Sequence, residues 1–178
     1  MPHHGEAVGG GGGGATHYFR YIHLLQSKHA AGNNNVTAAR VYLQMIQIPV
    51  EMTIDRIAHC VVVQNGNIIR GIYEDNGLTP AGGALVVESA SVALGAAGWD
   101  EITVADTTLA EGLYWLALES DDATANLRRV DSLSVPTISG HYFYNRALGY
   151  GPLTDPCPAI LGPDAYCWMG YLRVASVP

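Results

Sequence analysis

Six apolar residues run without a break from Leu113 to Leu118, stopped by Gly112 before them and by Glu119-Ser120-Asp121-Asp122 after. A run of that length suits a strand buried on both faces and is short for a helix. Ala110-Glu111-Gly112 supplies a turn upstream. Before it, Trp99 to Val104 (WDEITV) alternates apolar and polar side chains, as a strand with one wet face does. The pattern predicts two consecutive strands of one antiparallel sheet, with the rest of the chain wrapped to cover Tyr114, Trp115 and Leu116.

The same texture recurs along the middle of the chain. Arg40 to Ile48 reads as a strand that Pro49 stops. Met52 to Val63 continues as strand, with Ile54, Ile57 and Val61 to Val63 as core. Asn65-Gly66 is the strongest hairpin signal, joining that strand to Ile68–Glu74 (IIRGIYE), where Gly71 admits a close backbone or ring. Asp75 to Gly83 is a turn-rich loop, Ala84 to Leu94 is strand again, and Asn126 to Val130 follows the turn at Asp121 to Thr124. Tyr171 to Val177 returns as a last strand beside the first long one. No strand–helix alternation occurs, so the expected fold is all-β: an antiparallel β-sandwich, jelly-roll-like.

Both ends depart from this texture. Gly9, Gly10, Gly11, Gly12, Gly13 and Gly14 form an unbroken glycine run, whose ordering costs more entropy than that of any other sequence. Residues 1–16 therefore read as an extended arm. Residues 17–39 connect it to a sandwich over residues 40–178. Within the connection, His17 to Leu25 is either a short strand or one or two helical turns, and Ser27 to Thr37 is a polar loop. Tyr18 and Phe19 extend the arm with apolar anchors. From Ile138 onward the chain is a loop-rich segment holding seven of the fifteen aromatics: Tyr142, Phe143, Tyr144, Tyr150, Tyr166, Trp168 and Tyr171.

Composition narrows the function classes. Charged residues are 14% and hydrophobic ones 48%, a sparsely charged surface that suits a subunit covered by neighbours; because an arm that orders on contact loses entropy, a homo-oligomer that multiplies the contacts is expected, with a trimer favoured. The net charge of −7, with nine Lys and Arg in all, argues against a duplex-binding role, so no nucleic-acid partner is expected. No apolar run approaches the ~20 residues of a membrane helix, and no charged-then-apolar leader opens the chain. Synthesis and folding in a cytosol are expected.

Candidate chemistry is thin. Ser139-Gly140-His141 sets a Ser near a His without the surrounding triad pattern. The acid pairs Glu74-Asp75, Asp100-Glu101 and Asp121-Asp122 read as solvated strand ends, not as two carboxyls facing across a cleft. The histidines, including His17 and His23, have no carboxylate or Cys at ligand spacing, and Asp75-Asn76-Gly77 lacks the full calcium loop. No catalytic residue, metal or cofactor is expected. Cys60 reads as a buried thiol. A disulfide between Cys157 and Cys167 would close the loop between them; folding in a reducing compartment weighs against it. Tyr142, Tyr144, Tyr150, Tyr166 and Trp168 offer either sugar-stacking faces or anchors against a neighbouring subunit, and the arm and sparse charge favour the second use.

The stretches IPVEMTIDRI (Ile48 to Ile57), GNIIRGIYEDNGLTPAGGALVVESASVAL (Gly66 to Leu94) and GWDEITVADTTLAEGLYWLALESD (Gly98 to Asp121) together resemble a β-sandwich module of bacteriophage virion proteins of the tail-fibre, head-fibre or capsid-decoration type. The shared order is G-I-Y, P-x-G-G, W-x-x-I and L-x-x-G-x-Y-W-L-A, over residues 40–131. The architecture is also similar to jelly-roll lectin and carbohydrate-binding modules. The resemblance implies a non-enzymatic virion subunit on capsid or tail; the arm lies outside it, and its length and flexibility make it the expected means of attachment. Its alternative is a glycan-binding module for adhesion.

Overall fold

The computed structural model describes residues 31–77, 79–131, 143–147, 149–160, 162–163 and 166–177. Among them the apolar runs become thirteen strands and no helix, so no helix is long and apolar enough to cross a membrane. The strands are β1 (Ala31–Asn35), β2 (Arg40–Ile48), β3 (Met52–Val63), β4 (Asn67–Glu74), β5 (Leu85–Glu88), β6 (Val92–Ala93), β7 (Gly98–Leu109), β8 (Gly112–Ser120), β9 (Asn126–Asp131), β10 (Phe143–Ala147), β11 (Gly162–Pro163), β12 (Tyr166–Trp168) and β13 (Gly170–Ser176). They form two antiparallel sheets, the predicted all-β sandwich. In the first, β3 is flanked by β7 on one edge and by β13 and then β9 on the other, and β9 also carries β1 and β12. The second runs β11-β10-β2-β8-β4, with β5 and β6 side by side on the far edge of β4.

Period-two alternation fills the space between the sheets. Ile46, Ile54, Ile57, Ile72, Leu116 and Leu172 belong to one buried cluster. Tyr42, Val61, Ile68, Leu118, Leu127 and Trp168 belong to another. On β4, Arg70 falls between Ile72 of the first and Ile68 of the second; on β3, His59 falls between Ile57 and Val61. A polar layer therefore crosses the sandwich. Arg70 is 0% exposed, and it donates to the Ile57 carbonyl at 3.1 Å, the Asp100 carbonyl at 2.6 Å and the Asp100 carboxylate at 2.7 Å. It thus ties the second sheet to β3 and β7 of the first.

The continuous run of β8 is buried on both faces because the second sheet has a further cover. Val41, Leu43, Ile69, Trp115 and Ala117 pack under Leu153 and Cys157, with Tyr150 and Ile160 alongside. This strap, residues 149–160, is hydrogen-bonded down at Cys157 to Gly82 and Gly83, at Thr154 to the Tyr73 hydroxyl and at Leu153 to Glu88. Trp115 is 0% exposed beneath it and donates from Nε1 to Asp75 at 2.8 Å.

Several expectations need correction. β7 and β8 are consecutive but lie in opposite sheets, so the Ala110-Glu111 turn is a corner of the sandwich. β3 and β4 are also in opposite sheets, so Asn65-Gly66 is no hairpin. Gly66 does turn the chain at φ 66°, but Asp121 captures the Asn67 amide at 2.6 Å and its side-chain amide at 2.7 Å, steering β4 to β8. The expected loop over Ser27 to Thr37 contains β1, because the β9 edge offers a ladder that overrides the weak strand propensity of Gly and Asn. The sheet thus begins before residue 40. The expected Ala84–Leu94 strand breaks at Ser89, whose hydroxyl accepts the Arg70 amide at 3.0 Å. β13 exists, but pairs with β3 and not with the first long strand, β2. Asp100 faces the interior, not solvent, and Cys60 is half-buried on an outer face.

Candidate binding face

The outer face of the first sheet carries no covering strap among the described residues, and alternation on three adjacent strands decides what it shows. Registers place Trp99 (β7) opposite Cys60 (β3). The next row is Glu101, Ala58 and Tyr171, and the next Thr103, Arg56 and Arg173. Ala58, small and central, lets the flanking side chains meet above it. The Tyr171 hydroxyl reaches over to donate to Glu101 at 2.5 Å. The Trp99 and Tyr171 rings meet with centroids 4.9 Å apart and planes inclined by 62°. Trp99 stays 44% exposed.

Charge beside the two rings is paired, while Arg128 on the outer side of β9 stands exposed. Arg56 donates to Glu101 at 3.2 Å, and Arg173 lies 3.9 Å from the same carboxylate. Arg173 also grips Asp55 with two nitrogens, one at 2.7 Å, where β3 slips register against both of its neighbours. Hydrogen bonds from Arg173, then its charge and that of Arg56, hold the Asp55 carboxyl below its ordinary value against an opposing push from burial. Two guanidiniums thus balance two carboxylates. The result is a polar, aromatic-edged patch whose arginines and carboxylates are held in ion pairs.

Two other ionisable groups are buried. His59, 1% exposed and opposite Asp100, is held neutral by burial and by the charge of Arg70, its pKa well below the usual value. Glu119 lies under the strap at 1% exposure; burial raises its pKa to about 7, partly offset by a hydrogen bond from the Gly151 amide. Among the described residues no group of three or more His, Cys, Asp or Glu is placed to hold a metal.

The sequence-predicted sites scatter. Gly9 to Gly14, Tyr18, Phe19, Ser139, His141 and Tyr142 lie outside the described residues, as do the side chains of Tyr144, Tyr166 and Cys167, and with the last the candidate disulfide to Cys157. Trp168 is 4% exposed, edge-on to Tyr42 at 5.3 Å, and offers no face to a sugar. Tyr150 is half-buried at the strap, its hydroxyl 2.5 Å from that of Ser91. The residues that do meet, Trp99 and Tyr171, come from β7 and β13. Their signal was the alternation itself, which puts Trp99, Glu101 and Thr103 on the wet side of β7 and Tyr171 and Arg173 on that of β13.

No protein-family model matches the chain, and neither a curated protein nor a solved structure matches it.

Proposed function

We propose that the chain is a non-enzymatic structural subunit of a bacteriophage virion, of the capsid-decoration, head-fibre or tail-fibre type. The glycine-rich arm attaches it to other virion proteins and to its own copies, and the β-sandwich is what the particle displays. What supports the display role is the first sheet's outer face: a half-exposed Trp99 braced by Tyr171 above charge-paired side chains. An arm of about 16 residues reaches tens of ångströms as a random chain, enough to engage an adjacent subunit. Deleting Met1 to Gly14 is expected to leave a soluble, folded protein that no longer joins particles in a co-expression assembly assay. Normal incorporation of the truncated protein overturns the arm's role.

The second reading, a carbohydrate-binding adhesion module, is favoured by that same face, with Trp99 and Tyr171 in place of Tyr142, Tyr144, Tyr150 and Trp168. A glycan array comparing the intact protein with Trp99→Ala tests it. Binding that survives the substitution removes this face from the reading.

A further inference from the structure

Every second residue of a β-strand turns its backbone N–H and C=O to the same side, so a strand paired on one edge leaves a row of them open on the other. β7 is such a strand, and the longest at a sheet edge. Gly98–Leu109 pairs with β3, and among the described residues no strand pairs with its far side. β5 of the opposite sheet shares a buried cluster with it through Val87 and Val104, but forms its ladder with β4.

Charge selects the occupant of that edge. β7 carries Asp100, Glu101 and Asp106 and no base. Arg70 matches Asp100, and Arg56 with Arg173 matches Glu101. Asp106 is exposed and in no ion pair among the described residues, on a bulge where Val104, Ala105 and Asp106 oppose Asp55 alone. A second β7 laid here would bring acid against acid, which strand pairing disfavours. A basic strand would be welcome. The chain supplies one outside the described residues: residues 15–30 hold Arg20 and Lys28 and no acid, and within them residues 17–25 (HYFRYIHLL) are mostly aromatic and apolar.

Reach decides which copy supplies it. β1 starts at Ala31 on the opposite edge of the same sheet, with β9 and β3 between it and β7. At about 4.8 Å per strand, the two edges stand roughly 15 Å apart where β9 meets β3, and roughly 19 Å apart where β12 and β13 come between them. Only five residues separate Leu25 from Ala31, a reach of about 20 Å at full extension. Crossing its own sheet would use all of it, with nothing left to climb over the side chains. The β7 edge of a copy lying beside β1 is about one strand spacing away.

We propose that residues 17–25 of one copy add as an extra strand to the open edge of β7 in the next copy, with Arg20 meeting Asp106. This deepens the reading of the arm as the means by which copies associate, and rests on it. The donated segment and the accepting edge are different surfaces, so the contact is heterologous, the kind that builds rings.

Light scattering across a dilution series, with hydrogen exchange by mass spectrometry, tests this on the full-length chain. The parent is expected to be an oligomer. Asp106→Arg and Arg20→Asp are each expected to raise the concentration at which it dissociates at least ten-fold, and the two combined to restore it. Exchange in a peptide covering residues 98–109 is expected to quicken at least ten-fold in each single variant and to return to the parent's rate in the double. Dissociation by Arg20→Asp but not by Asp106→Arg overturns the β7 edge as the docking site and leaves the arm's role standing. Altered exchange at an unchanged mass shows pairing within one chain and overturns the contact between copies. An oligomer indifferent to both changes, or a double variant that fails to recover, overturns the Arg20–Asp106 contact. A parent that is monomeric at every concentration overturns both this docking and self-association through the arm.

Discussion

Glu119 shows what a single buried group can impose. It lies on the strap side of the second sheet, opposite Ile69 on β4, and its pKa of about 7 exceeds the 4.5 of an unhindered glutamate. The folded state therefore holds a proton that the unfolded chain releases above pH 4.5, and stability falls as pH rises from there to about 7. Glu119→Gln keeps the shape without the charge. It is expected to raise the urea midpoint at pH 8 and to leave it nearly unchanged at pH 4, where wild-type Glu119 is protonated in both states. The Arg70–Asp100 pair makes the opposite case, a charge that is held because it is matched. Asp100→Ala strands a fully buried guanidinium and is expected to cost about 3–5 kcal/mol. Arg70→Met combined with Asp100→Leu is expected to cost less than the two single changes added together, which a double-mutant cycle in urea measures. Neither group was legible in the sequence. Asp100 looked like half of a surface acid pair because adjacency along a strand puts neighbours on opposite faces, and only the register decides which one turns in.

At the scale of elements, strand existence was legible and strand partnership was not. β2, β3, β4, β7, β8, β9 and β13 follow from alternation, apolar runs and Pro or Gly stops. Which sheet each joins depends on contacts remote in sequence, such as the grip of Asp121 on Asn67 that diverts β4 from β3. The candidate face shows the same division. The wet side of β7 can be read from WDEITV, whereas its meeting with Tyr171 needs β3 as the strand between them. Gly71 was read correctly as a point of close approach: a Cβ there would stand 2.5 Å from Leu153 Cδ1 and 2.9 Å from the Val87 carbonyl. Gly71→Ala is therefore expected to cost about 1–3 kcal/mol by overpacking. Because Leu153 belongs to the strap, limited proteolysis is expected to cut the variant first within residues 149–160. Unchanged resistance there would mean that the clash is absorbed elsewhere.

For the whole molecule, His59 and Glu119 set opposing slopes. His59 stays neutral in the fold while the unfolded chain takes up a proton below pH 6.5, so its contribution falls as pH drops beneath that value. Between about pH 4.5 and 6.5 the two linkages oppose and offset one another. Thermal midpoints are expected to be nearly flat across that window and to decline below it. In Glu119→Gln the plateau is expected to become a slope rising with pH, and a slope of the other sign would contradict the assignment of both groups.

The strap also gives the molecule a front and a back. Among the described residues, one broad side is covered by the strap, while the other carries the partly exposed Trp99. Were the chain the virion subunit proposed above, copies ringed with their sealed sides inward would turn the Trp99 faces outward together, so weak single contacts would be summed by avidity without any change within the fold.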